Sequence, residues 1–187
     1  SPLVRAERHN PPAAPNPNEA RRGSAGGMDD VRWRDGYAQL AALGLMFDLQ
    51  TPWWHLDAAA ELARDFPRTT LVLNHTGLPA DRSAEGLRGW RDALTLLAAQ
   101  PNVALKISGL GQAGKPWRAA DNASLIRDAI GIFGHQRCMF ASNFPVDSVV
   151  GSFDTIFRGF ADASADLGPE AQRALFHDNA CRIYRVT

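Results

Sequence analysis

Five side chains have the types and placement to act together on a polar substrate: Asp48, Gln50, His75, Lys106 and Asn143. Each lies at or near the end of a short run rich in aliphatic residues, at 45–50, 69–75, 103–108 and 137–143. Such runs read as strands, along which successive side chains point to opposite faces. If Leu45, Phe47 and Leu49 face covering helices, then Met46, Asp48 and Gln50 face the other way. By the same parity Val103, Leu105 and Ile107 face out and Lys106 and Ser108 face in. In the last run the inward set is Met139, Ala141 and Asn143. An imidazole, an ammonium, a carboxylate and two amides at one end of a sheet can polarise a carbonyl, orient a water and hold a substrate carboxylate or hydroxyl. Asp147, four residues after Asn143, adds a second carboxylate. Polar side chains inside a parallel sheet are costly unless paired, which makes the set a candidate site.

Each of these residues also has a plainer reading. A histidine at a strand end is often structural, Lys106 can pair with Asp48, and Asn143 before Phe144-Pro145 can be a turn former. His9, His135 and His177 fall in loops or beside a helix, where solvent contact or capping explains them. The Trp53-Trp54-His55 triplet opens a loop-to-helix junction. Packing accounts for it, while Trp53 is also placed to wall a substrate pocket.

Helical patterns separate the strands, at 30–43 (stopped by Gly44, where a left-handed C-terminal residue is wanted), 56–66, 87–99, 123–133, 152–165 and 169–179. A weaker strand is read at 3–8, followed by a polar, proline- and glycine-rich loop over 9–29 that is long enough to be mobile. Strand–helix alternation with short connections predicts an α/β fold, a parallel sheet with helices outside, in a single domain over 1–187. About five strands fall short of the eight in a closed (β/α)8 barrel, which typically needs about 250 residues. An open doubly wound sheet is the alternative, although its glycine-rich phosphate loop is absent.

The balance of 20 acidic against 20 basic residues argues against a nucleic-acid partner, which needs a surplus of cations on one face. No apolar run approaches the ~18 residues that a membrane span requires. Cys138 and Cys181 are far apart and outside any CxxC pair, so they read as core residues of a protein in a reducing, cytoplasmic setting. The opening Ser1-Pro2-Leu3-Val4 has no initiator methionine and reads as the interior of a longer protein.

Several segments, taken in order, resemble the amidohydrolase-related family of barrel hydrolases that includes sugar-acid lactonases and 2-pyrone-4,6-dicarboxylate lactonase. They are Gly44-Leu45-Met46-Phe47-Asp48-Leu49-Gln50, Leu71-Val72-Leu73-Asn74-His75-Thr76-Gly77-Leu78-Pro79 and Val103-Ala104-Leu105-Lys106-Ile107-Ser108-Gly109-Leu110. Arg137-Cys138-Met139-Phe140-Ala141-Ser142-Asn143-Phe144-Pro145-Val146-Asp147 and Asn179-Ala180-Cys181-Arg182-Ile183-Tyr184 follow. Val4-Arg5-Ala6-Glu7-Arg8 looks like an earlier strand of the same family.

The resemblance implies an incomplete TIM barrel, about the fourth to the eighth strands with their helices. It implies hydrolysis of a small lactone by water, with His75, Asn143 and Asp147 as catalytic candidates and Gln50, Lys106 and Trp53 as substrate contacts. Two departures stand out. The family's first-strand His-x-His pair is absent, and Asn143 stands where an aspartate usually serves as base or metal ligand. An amide is neither a base at neutral pH nor a strong metal ligand. The resemblance is therefore compatible with one divalent ion such as Zn2+ on His75, and equally with none. A metal-dependent decarboxylase of the same superfamily and a non-catalytic binding module are the rival functions. The chain by itself is expected to be inactive and to expose the inward residues Met46, Met139 and Ala141.

Overall fold

The computed structural model describes residues 3–186. Five strands alternate with helices: β1 (Ala6–His9), α1 (Val31–Ala42), β2 (Met46–Leu49), α2 (Leu56–Asp65), β3 (Leu71–Leu73), α3 (Ala84–Ala98), β4 (Val103–Ile107), α4 (Ala119–Phe133), β5 (Cys138–Phe140) and α5 (Phe153–Ala163). A final helical stretch runs through α6 (Pro169–Arg173), a π turn (Ala174–Asp178) and α7 (Asn179–Tyr184).

All neighbouring strands are parallel, and their order in the sheet is their order in the chain. Phe47, Leu49, Leu71, Leu73, Leu105, Ile107 and Phe140 form one core with Tyr37, Leu62, Trp90, Leu94, Ile126 and Phe160 from α1 to α5. The helices α1 to α5 all lie on one face of a sheet whose strands follow in chain order, the arrangement of a barrel wall; a doubly wound sheet reverses its strand order and sends its connecting helices to both faces. The expected parity is therefore observed in β2, β4 and β5. Fully burying each of these aliphatic side chains stabilises the wall by about 1.5–3 kcal/mol.

The opposite face, expected to be bare, is covered in part. Val72, Ala104 and Met139 pack against Ala180, Ile183 and Tyr184 of α7, and Met139 is buried. The helix read over 169–179 in fact continues to Tyr184. Its π turn, over Ala174–Asp178, widens the helix by one residue before α7 begins. α3 begins three residues earlier than the apolar period shows, because Ser83 accepts a hydrogen bond from the Gly86 amide and caps it.

The polar segment after β1 is tied down. The Ala14 amide donates to His55 Nε2 at 3.0 Å and Trp54 Nε1 donates to the Ala14 carbonyl at 3.0 Å. Arg22 bridges Asp29, Asp57 and Glu61. Among the described residues the sheet remains open, with β1 and β5 at its edges.

Candidate functional site

The C-terminal ends of β1, β2 and β3 deliver Arg8, Gln50 and His75 side by side. Arg8 Nη2 donates to Gln50 Oε1 at 2.8 Å and lies 3.0 Å from His75 Nε2. A guanidinium has only donors, so Nε2 must be the acceptor and the imidazole proton must reside on Nδ1. That proton is then donated to Ser108 Oγ, 3.0 Å away at the end of β4. Burial pushes the His75 pKa down to about 4, with the charges of Arg8 and Lys106 acting in the same direction. The ring is neutral at neutral pH and a weak base.

Strand parity alone does not put His75 here. Val72 faces inward, so strict alternation would turn Asn74 inward and His75 towards the helices. The backbone breaks the alternation: His75, Thr76, Gly77 and Leu78 all have left-handed φ, from 53° to 69°. Thr76 secures the turn by donating to the Ser108 carbonyl and accepting from the Ser108 amide. Gly109 completes it, since a Cβ there would lie 2.7 Å from His75 Cβ. Asn74 is left buried beside this turn with neither side-chain atom paired.

Lys106 and Asp48 make the ion pair weighed from the sequence, with Nζ 2.8 Å from Oδ2. The Tyr184 hydroxyl donates to the other oxygen of Asp48. Lys106 Nζ also lies 4.7 Å from the centre of the Tyr184 ring. Burial and the Asp48 carboxylate raise the Tyr184 pKa well above the ordinary phenol range. Lys106 is thus held on the inward face, where its charge acts on His75 without a direct bond.

Asn143 and Asp147 form a separate pair after β5. Asn143 Nδ2 donates to Asp147 Oδ1 at 2.8 Å. Burial raises the Asp147 pKa, and hydrogen bonds from Asn143 and the Gly111 amide oppose that shift. The segment Ser108–Gly111 joins the two groups: its first residue contacts His75 and its last donates to Asp147. Among the described residues His75 bonds to Arg8 and Ser108 and not to this pair, and the three peptide units between Ser108 and Gly111 span at most about 10 Å.

Trp53 is placed elsewhere. Its ring packs over Gly89 of α3 on the helical core, where a Cβ would lie 2.7 Å from it, so packing replaces the expected pocket wall. Two groups were missed by sequence reasoning. Arg8 lies in a run that reads as a weak strand, and Tyr184 lies beyond the helix end that periodicity gives; their only signal was membership of the matched end segments.

Among the described residues no three His, Cys, Asp or Glu side chains are grouped to hold a metal ion. His75 faces a guanidinium, and the Asp48 carboxylate is engaged by an ammonium and a phenol. These residues do not fit a resident cation, so the reading of His75 as a metal ligand is not supported by the donor set.

The amidohydrolase family profile matches residues 7–186. An uncharacterised protein of Sinorhizobium fredii is 45% identical over 82% of this chain and 52% of its own length. An L-fucono-1,5-lactonase of Burkholderia ambifaria is 31% identical over 85% of this chain and 56% of its own length. Among solved structures, a zinc-bound amidohydrolase of Burkholderia multivorans superposes with a TM-score of 0.83 at 27% identity, over 98% of this chain and 65% of that one. The chain spans about half the length of the curated relatives it matches. Profile, parallel wall and strand-end polar cluster agree: this chain belongs to the amidohydrolase family.

Proposed function

We propose that this chain carries the hydrolytic residues of a lactonase acting on a small sugar-acid or dicarboxylate lactone. The observation that carries the reading is the neutral His75 held between Arg8 and Ser108 at the strand ends, with the buried Asp147 carboxylate joined to it through the segment from Ser108 to Gly111. The L-fucono-1,5-lactonase relative supports a sugar-acid ring as the substrate class.

In this reading the lactone carbonyl oxygen takes a hydrogen bond from Arg8, whose charge stabilises the oxyanion formed when water adds to the carbonyl carbon. Turning Arg8 towards the carbonyl frees His75 Nε2 to accept a hydrogen bond from the water and orient it. The water's proton passes to the Asp147 carboxylate, which Asn143 positions. Collapse of the adduct breaks the acyl C–O bond, and the departing ring oxygen takes the proton back from Asp147. A carboxyl whose burial raises its pKa suits both halves of that exchange. Gln50 holds substrate hydroxyls, and Lys106 adds positive potential from its place beside Asp48.

The test is release of acid from a panel of aldonolactones by the protein in its full natural length, since the 187-residue chain by itself is expected to be inactive, read with a pH indicator against spontaneous hydrolysis. Acceleration that is lost in Arg8→Ala and Asp147→Asn supports the reading. No acceleration, together with no saturable binding of any lactone, would sink it.

A further inference from the structure

At the N-terminal ends of the strands, opposite the site above, lies a cavity of about 370 Å³. Four arginines line it, Arg68, Arg137, Arg182 and Arg185, and among the described residues none that lines it is acidic. The chain as a whole has no net charge, so this is a local excess of like charge. Backbone carbonyls aim three of the four. Arg137 donates to the carbonyls of Phe133, Gln100, Val103 and Ala98, Arg182 donates to that of Gln136, and Arg185 to that of Gly44. A guanidinium has five N–H groups, so each of the three retains donors beyond those bonds. Arg68 is exposed, and among the described residues its side chain has no hydrogen-bond or ion-pair partner. Carbonyl bonds orient guanidinium groups without neutralising them, and among the described residues no carboxylate pairs with any of the four, so their charges repel each other unless an anion enters.

We propose that this cavity is a binding site for a small anion carrying two or more negative charges, either a phosphate or a polycarboxylate. Planar guanidinium forks match carboxylate and phosphate oxygens in bidentate geometry, and several forks together select multivalent over monovalent anions. The site is independent of the lactonase reading, since it shares no residue with it and lies at the other end of the strands.

The experiment is calorimetric titration of the chain with inorganic pyrophosphate and, separately, with succinate, at low ionic strength and again at high salt. Saturable binding of at least one of them is expected, weakened by salt. Arg68→Ala and Arg185→Ala should each weaken it by about tenfold, the worth of one charge-assisted contact. Both residues are exposed, and circular dichroism would confirm that the variants stay folded. His75→Ala should leave the affinity unchanged. Preference for pyrophosphate would assign the site to phosphates, and preference for succinate to carboxylates. Absence of saturable binding, or binding indifferent to both arginine substitutions, would overturn the proposal.

Discussion

The guanidinium of Arg8 lies 3.0 Å from Nε2 of His75, although the two residues come from strands that do not touch. β2 runs between them and contributes Gln50, whose side-chain oxygen accepts from the same Arg8 nitrogen at 2.8 Å. One cation therefore spans three strand ends and determines which ring nitrogen of His75 carries the proton.

That contact predicts a titration. Burial is the largest cause of the low His75 pKa, and the Arg8 charge is second. Arg8→Ala should raise the pKa from about 4 while leaving it below the ordinary histidine value near 6.5, as followed by NMR of the imidazole protons. The linkage has a definite sign. In the folded chain His75 resists protonation until about pH 4, whereas the unfolded chain takes up the proton near pH 6.5. Stability is therefore expected to fall as pH drops through that window, by no more than about 3 kcal/mol from this group. A denaturation midpoint that is flat across the window in the parent, and equally flat in His75→Gln, would contradict the assignment.

Asp147 and Asn143 should separate stability from rate. Burial raises the Asp147 pKa, so the folded state disfavours its ionised form and the carboxylate is a cost at neutral pH. Asp147→Asn is expected to melt no lower than the parent at pH 7, while the same change in the protein at its full natural length costs about 10²–10⁴ in lactone hydrolysis. Asn143→Ala should lose much less rate. Equal and negligible losses at both positions would remove Asp147 from the chemistry.

Gly109 tests the turn that brings His75 inward. Its φ is +64°, and an added Cβ would meet His75 Cβ at 2.7 Å. Gly109→Ala should destabilise the fold by roughly 1–3 kcal/mol, since the backbone is left-handed and the contact is with a buried residue rather than a flexible tip. The imidazole resonances of His75 should shift at the same time. An alanine variant with unchanged stability and unchanged histidine shifts would mean that the turn is not held as described.

The open sheet makes an association prediction. β1 is a largely exposed edge, and β5 forms the other edge among the described residues. Unpaired strand edges template pairing with further chains, though the charged Glu7 and Arg8 on β1 oppose it. Sedimentation of the purified chain should show concentration-dependent association. A single monomeric species at high concentration would show that the edges are protected.

Most of the wall was legible in the sequence, because strand alternation and helical periodicity are local properties with fixed periods. Leu105 and Ile107 face out and Lys106 faces in for no reason beyond a period of two, and the helix read from Asp30 does begin there, where the Asp30 carboxylate accepts from the Arg32 amide. The order of strands, and with it the meeting of Asp48 and Lys106 on one face, follows from parallel strands laid down in sequence. The position of His75 at a strand end was legible, but its inward direction was not. Its direction depends on left-handed backbone at four successive residues, stabilised by Ser108 from the next strand.

What only the tertiary structure decided are the pairings across distant segments. Arg8 reaches His75 over 67 residues of chain, and Tyr184 reaches Asp48 over 136, and neither separation leaves a periodic trace. For Trp53 the sequence offered packing first and a pocket wall second; that the ring packs over Gly89 of α3 is set by how the two elements meet. Periodicity reports which face of an element is buried; which side chain it meets there depends on how separate elements close on one another, and that is set by the packing of the whole sheet against its helices.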